Sequence, residues 1–202
     1  MTLVDSIGIK RLGSAAYLPT LAAMKDFTAR RNGETADELW LLEHPPVYTL
    51  GQGADHAPVE NGIPLVRADR GGDITYHGPG QLVVYTLVDL ARRGIKVRQF
   101  VALLEQAVID LLGGRGERRV GAPGVYVDGA KIAALGIRVR QGRTYHGLSL
   151  NVDMDLAPFS VIDPCGYPGL AVTQTRDIGM KETLPALGER LAALLVEKIE
   201  HA

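Results

Sequence analysis

The chain has little of what marks a secreted, membrane-embedded or nucleic-acid-binding protein. Its 202 residues include a single cysteine, Cys165, which excludes an intrachain disulfide framework and fits a reducing, cytoplasmic location. No stretch approaches the roughly 18 to 20 consecutive apolar residues that cross a bilayer, so no membrane partner is expected. The opening MTLVDSIGIKRLG lacks a basic segment followed by an apolar one, and a cleaved signal is not expected there. Charge of one sign is hardly in excess: 22 Lys+Arg against 23 Asp+Glu leave a formal net charge of -1. Duplex binders carry a basic surplus that displaces counterions, so nucleic acid is not an expected partner. Repeats, low-complexity tracts and linkers are also missing. Residues 1–202 are therefore expected to form one domain, and a hydrophobic fraction of 46% is enough to fill its core.

Cofactor signatures are missing too. GxxxxGK[ST] does not occur, and Gly51-Gln-Gly53-Ala-Asp-His56 lacks the third glycine and the βαβ unit of a dinucleotide site. His77, His146 and Cys165 are the candidate soft ligands, but no H-x-x-x-H or C-x-x-C spacing joins them. No cofactor and no metal are expected.

Periodicity supplies the architecture. Three helices are predicted: Ser14 to Arg31 with Ser14 as N-cap and Leu18, Leu21 and Met24 on one face; Arg98 to Leu112; and Pro185 to Ile199. All three read as core elements and not as site. Short runs rich in β-branched, aromatic and leucine residues predict strands at 38–43, 47–50, 81–90 and 124–127. Asp128-Gly129 between two apolar runs predicts a two-residue hairpin, and Gln141-Gly142 a second one returning through Thr144 to Val152. Strands cluster in the middle, with helices near both ends and between. That is an α+β pattern with a mixed sheet, not a βαβ alternation.

Four stretches carry chemistry. Arg70-Gly-Gly-Asp-Ile-Thr-Tyr-His77 leads into Gly78-Pro-Gly-Gln81, and this glycine density lets backbone N–H groups approach a ligand closely. A tight loop with a solvated arginine is the plain alternative. Lys131 follows the Asp-Gly turn. Such a lysine is usually exposed, but Ile132-Ala-Ala-Leu135 shows no polar alternation, which predicts a strand covered on both faces and a desolvated base or charge partner. In Asp163-Pro-Cys165-Gly-Tyr-Pro-Gly169, proline precedes the thiol and glycine follows it. A rigid loop presenting one thiol beside a cation favours a thiolate over the buried small hydrophobe that a lone cysteine more often is. The fourth is Tyr145-His-Gly-Leu-Ser-Leu-Asn151, where His146 is either structural or supporting and Asn151 is a further supporting candidate.

RGGDITYHGPGQLVVYTL, GVYVDGAKIAALGIRV, YHGLSLNVD and DPCGYPGLAVTQ, in that order and with EHPPVYTLGQG upstream, closely resemble the lipoyl(octanoyl) transferases. The resemblance runs from about Leu39 to Gln174. It implies the fold of biotin and lipoate protein ligase catalytic domains, with a mixed main sheet, a smaller sheet and packed helices. It implies transfer of an octanoyl group from octanoyl-acyl carrier protein to a lysine of a lipoyl domain, the first step of protein lipoylation. The acceptors it implies are lipoyl domains of 2-oxoacid dehydrogenase complexes and glycine cleavage H protein. Cys165 matches the cysteine that carries the acyl thioester, and Lys131 the lysine that favours its thiolate. Arg70, Gly71, Gly72, Asp73, Ile74, Thr75, Tyr76 and His77 match the substrate-binding loop. Ala134, Leu135 and Gly136, with Gly147, Leu148 and Ser149, match two further substrate-contacting triplets. Relatives often carry alanine where Ser149 stands, a departure that bears on pocket polarity, and Asp73-Ile74 also varies.

Three other readings remain beside it: an ATP-dependent lipoate ligase, which needs no Cys165; a cysteine thioester hydrolase pairing Cys165 with His146 or His77; and an inactive scaffold for lipoyl domains. Arg92, Arg93, Lys96 and Arg98, with Arg138, Arg140 and Arg143, are either a dock for an acidic carrier protein or a solvated face.

Overall fold

A computed structural model describes residues 6–54, 61–162 and 170–202. Among these residues, nine strands and four α-helices follow one another as β1 (Ile7–Ser14), α1 (Tyr17–Arg30), β2 (Asp37–Glu43), β3 (Val47–Leu50), β4 (Leu65–Arg67), β5 (Ile74–His77), β6 (Gln81–Leu87), α2 (Leu90–Arg93), α3 (Val97–Leu111), β7 (Gly124–Val127), β8 (Ala130–Arg140), β9 (Arg143–Asn151) and α4 (Leu184–Glu200). A six-stranded sheet has the order β1-β2-β6-β9-β8-β7, and a three-stranded sheet the order β4-β3-β5. β1 pairs with β2 in parallel while the other main-sheet pairs are antiparallel, so the main sheet is mixed and the α+β expectation holds.

Both predicted hairpins form, and for the predicted reason. Asp128 and Gly129 have φ of 48° and 82°, and Gln141 and Gly142 have 51° and 75°. Two consecutive left-handed residues give a turn whose twist matches that of the strands it joins. The last helix starts as read, with the Thr183 side chain accepting from the Ala186 N–H.

Other boundaries differ. Ser14 does not cap α1. It closes β1, an edge strand that the sequence reading missed, and α1 begins at Tyr17 after Ala16. The apolar face shifts with that start: Leu18 is 59% exposed while Tyr17, Leu21 and Met24 are buried. The strand read as 81–90 stops at Leu87, because the Asp89 side chain accepts from the Arg92 N–H and opens α2.

The main sheet has two covered faces. On one, Leu82, Val84, Leu148, Leu150 and Ala133 join α3 residues such as Phe100 and Leu104 and α4 residues such as Leu191 and Leu195. On the other, Trp40, Leu42, Val83, Tyr85 and Leu87 meet Tyr17, Leu21 and Met24 of α1. That second face also looks toward the small sheet. Asp37, fully buried in β2, anchors the edge between the layers by accepting from Arg31, from Arg92 at 2.7 Å and from Arg93 at 2.6 Å. Burial pushes its carboxyl up, and the guanidiniums of Arg31 and Arg93 override this and hold it below the ordinary range. Arg143 likewise bonds Asp89 at 3.1 Å. Arg92, Arg93 and Arg143 are therefore structural staples, and the basic stretch read from the sequence is not one exposed surface.

Candidate active site

Strand register explains which side chains share the pocket. Gln81, Val83 and Tyr85 pair with Asn151, Ser149 and Gly147, and Ser149 and Gly147 pair in turn with Ala134 and Gly136. Side chains alternate across a sheet, so these residues fall on one face, and all of them line a single cavity between the two sheets. Small residues keep its floor low. The roof comes from Gly72, Asp73, Ile74, Thr75 and His77 around β5, with Arg70 at its side.

Lys131 should point away from this face, because Ala134 already faces it three residues later. A bulge corrects the parity. Val125 pairs with Ala133 but Tyr126 pairs with Lys131, which leaves Ile132 as an extra residue buried in the core. The bulge re-aims Lys131 into the cavity. Its stem crosses Gly124, where an added Cβ would lie 2.6 Å from Lys131 Cε and where φ is 145°. Lys131 is 4% exposed, and its Nζ lies 5.5 Å from the centre of the Tyr126 ring. The covered lysine expected from the apolar run is thus present, although the bulge that aims it was not foreseen.

Cys165 lies outside the described residues. Its described flanks reach the same cavity, through Phe159 before it and Val172 after it. The later flank is stitched to the lysine strand: Lys131 N–H donates to Ala171 O at 2.8 Å, and Thr173 N–H donates to Lys131 O at 2.9 Å. Side chains continue this seam. Asn151 Nδ2 donates to Thr173 O, Gln81 Nε2 donates to Asn151 Oδ1, each at 3.0 Å, and Gln81 Oε1 accepts from His77 Nδ1 at 2.7 Å. The glycine-rich loop and the lysine strand are therefore tied through Gln81 and Asn151. Of these two, Gln81 was not picked out from the sequence.

The other end of the cavity is built differently. Gly71 N–H donates to Ile137 O at 3.0 Å, and a Cβ on Gly136 would sit 2.9 Å from Gly71 O. Backbone meets backbone there and closes the slot. Arg70, expected to bind substrate, is 8% exposed and donates to Thr49 O at 2.7 Å, to Thr49 Oγ1 and to Gly71 O. It braces the closure while lining the cavity. His146 has φ of +61° in mid-strand, a conformation that costs a non-glycine residue about 1 kcal/mol or more. This turns its ring onto Asp69, which accepts from His146 Nε2 at 2.9 Å, from Tyr145 OH at 2.6 Å and from Lys25 at 3.1 Å. Burial pushes the Asp69 carboxyl up, but those donors win and hold it well below the usual range.

Three histidines here are buried and neutral. Burial lowers His77 to about 3, with His44 adding to the effect, and burial also lowers His44 and His146. His44 must carry its proton on Nδ1, because Ala15 O at 2.6 Å can only accept, so its Nε2 accepts from Tyr85 OH at 2.7 Å. Tyr17 stacks on His77 with centroids 6.2 Å apart and meets His44 edge-on at 5.2 Å. Burial pushes its phenol up to about 12, with Arg70 pulling the other way, so it remains a neutral donor.

Most expected site residues come together. Lys131, Ala134, Leu135, Gly136, His146, Gly147, Leu148, Ser149 and Asn151 line the cavity, as do Arg70, Gly72, Asp73, Ile74, Thr75 and His77. Gly71 lines a neighbouring groove, and Tyr76 packs on Tyr48 and Phe159 instead. Gly147 sits level with Gly136, five residues along β8 from Lys131. The sequence reading missed Tyr17, Gln81, Val83, Tyr85, Phe159 and Val172. Only register and the true start of α1 could have placed them.

Residues 16–192 match the lipoyl protein ligase A/B catalytic domain family. The chain belongs to this family. It is similar to the octanoyltransferase of Aromatoleum aromaticum, 61% identical over 192 residues that cover 93% of this chain and 83% of that one. It is also similar to the octanoyltransferase of Dechloromonas aromatica, 58% identical over 198 residues covering 96% and 97%. Among solved structures, a lipoate-protein ligase A bound with ATP has a TM-score of 0.77 at 18% identity, covering 96% of this chain and 85% of that one. A biotin protein ligase from Aquifex aeolicus in complex with biotin and ATP has 0.58 at 8%, covering 96% and 70%. These two likenesses establish the fold. Among the described residues of this lipoyl ligase-family chain, no helix is long and apolar enough to cross a membrane.

Proposed function

We propose that the protein is an octanoyltransferase that moves an octanoyl group from octanoyl-acyl carrier protein to a lysine of a lipoyl domain, through a thioester on Cys165. Names of relatives over 50% identical along nearly the whole chain support octanoyl transfer. The observation that carries the mechanism is Lys131: a bulge turns a buried lysine into the cavity, and backbone hydrogen bonds fix it to the segment that follows Cys165.

The chemistry follows from these groups. Lys131 as ammonium favours the Cys165 thiolate. That thiolate attacks the carbonyl carbon of the incoming thioester, the new C–S bond forms, and the carrier's thiol leaves after taking a proton. Thioester exchange keeps the acyl group activated, so ATP is not required. The acceptor amine must be neutral to attack, and its ordinary pKa near 10.4 calls for a base beside it. Lys131, having given up its proton, accepts one from that amine as the amide forms and Cys165 departs as thiolate.

The rival pairing of Cys165 with His146 has less support, because the His146 Nε2–H is committed to Asp69 and His146 is level with Ile137, well along β8 from Lys131. Transfer from octanoyl-acyl carrier protein to a lipoyl domain, assayed without ATP, tests the reading. Transfer that stops in Cys165→Ala supports it. Transfer only from free acid and ATP makes the protein a ligase, and loss of the acyl group to water without an acceptor makes it a hydrolase.

A further inference from the structure

Lys131 is buried, yet acyl transfer needs it as a cation, and burial penalises charge. Two features of β7 bear on that cost. Gly124 and Tyr126 are two residues apart, so they share a face, and the bulge that sets Tyr126 against Lys131 brings the lysine across both. At Gly124 the missing Cβ leaves room for the stem: an added one would lie 2.6 Å from Lys131 Cε and 3.2 Å from Nζ. The Tyr126 ring then receives the ammonium, with Nζ over the ring and 5.5 Å from its centre.

The ring is itself fixed. Tyr126 is fully buried, and its hydroxyl donates to Ala122 O at 3.1 Å. Its N–H donates to Glu117 O at 3.0 Å, and its carbonyl accepts from the Glu117 N–H at 2.8 Å. The Arg119 guanidinium also lies over the ring, 4.3 Å from the centre, while donating to Gly129 O in the turn before Lys131. Arg119 is partly exposed, so water screens much of its charge. Lys131 lines the cavity and Tyr126 does not, so the ring acts on the lysine and not on a substrate.

Resting on the acyl-transfer reading, we infer that Tyr126 is a positioning residue whose ring holds the Lys131 ammonium where it favours the Cys165 thiolate. The negative face of an aromatic ring attracts a desolvated cation by roughly thirtyfold in an equilibrium. Leucine at this position offers no such face. Phenylalanine keeps the face and loses only the hydroxyl.

Cys165 is the only cysteine, so its alkylation by iodoacetamide reads the thiolate directly. In Tyr126→Leu, alkylation near neutral pH should slow by roughly ten- to thirtyfold, and acyl-enzyme formation from octanoyl-acyl carrier protein by a similar factor. In Tyr126→Phe both rates should stay within about twofold of wild type, because the ring contact survives. A residue that merely packs would give the opposite sign, since a loosened fold exposes the thiol and speeds its alkylation. Val127→Ala trims a buried side chain on the other face of β7, controls for lost packing and should leave both rates near wild type. A Tyr126→Leu protein alkylated and acylated as fast as a wild type that transfers octanoyl overturns the inference alone, as does a Tyr126→Phe protein as slow as Tyr126→Leu. A wild type that transfers no octanoyl overturns the acyl-transfer reading and this one with it.

Discussion

The two ends of one slot solve opposite problems. At the Lys131 end a single cation is held in a seam of backbone hydrogen bonds, aimed by a bulge and passed over a glycine. At the Arg70 end Asp69 accepts from His146, Tyr145 and Lys25 while Arg70 donates to Thr49 and Gly71, and the cavity closes there. The first end places a charge where bonds change. The second commits Asp69 to Lys25 and His146, and Arg70 to the Thr49 and Gly71 carbonyls, and bounds the space. Polarity in a pocket is therefore no guide to reactivity by itself; what matters is whether a group's partners already consume it.

The comparison breaks most visibly at Lys131. Lys131→Met should lower the rate of transfer by about 10²- to 10³-fold in a single-turnover assay, the range expected for loss of a positioned acid or base. It should leave the preference among acyl lengths unchanged. Lys131→Arg should not restore the rate, because a guanidinium keeps its charge but cannot surrender the proton. A Lys131→Met enzyme with near-normal rate would remove the lysine from the mechanism.

A smaller effect, on stability, separates the floor from the chemistry. A Cβ on Gly147 would lie 2.1 Å from the Val84 carbonyl oxygen, an atom that cannot move without opening the β6–β9 ladder. Gly147→Ala should cost about 2–4 kcal/mol and lower the melting temperature by several degrees. An unchanged melting temperature would mean that the strand distorts freely at His146.

The smallest effect is that of pH on the buried histidines. His44, His77 and His146 are neutral in the folded protein, with His77 lowered to about 3, while in the unfolded chain they titrate near 6.5. Between those values the unfolded state binds more protons, so stability falls as pH falls. Melting temperature should therefore drop between pH 7 and 5. Asp37 and Asp69, both lowered, hold their contribution above the ordinary carboxylate range and lose it only at more acid pH. A flat profile from pH 7 to 5 would show that the rings are charged in the fold.

Much of this was legible in the chain itself, unevenly. Asp128-Gly129 and Gln141-Gly142 gave their hairpins because a type I′ turn is written in two residues. The apolar run after Lys131 announced a covered strand because burial on both faces leaves no room for alternation. Features that depend on pairing were not legible. The Ile132 bulge is a mismatch between two strands, and neither strand contains it alone. Tyr17 was hidden for a related reason: reading α1 from Ser14 put Leu18 on the inner face, and only the turn after β1 sets the true rotation of the helix. Arg92 and Arg93 looked like surface charge because their partner, Asp37, is more than fifty residues away.

Intact mass after mixing the protein with octanoyl-acyl carrier protein, in the absence of any acceptor, tests the central claim most directly. The account predicts a gain of one octanoyl group that hydroxylamine removes, that a lipoyl domain discharges, and that Cys165→Ser does not acquire. An unmodified wild type that still delivers octanoyl to the lipoyl domain would contradict it, because transfer would then pass directly from carrier to acceptor with no thioester on Cys165.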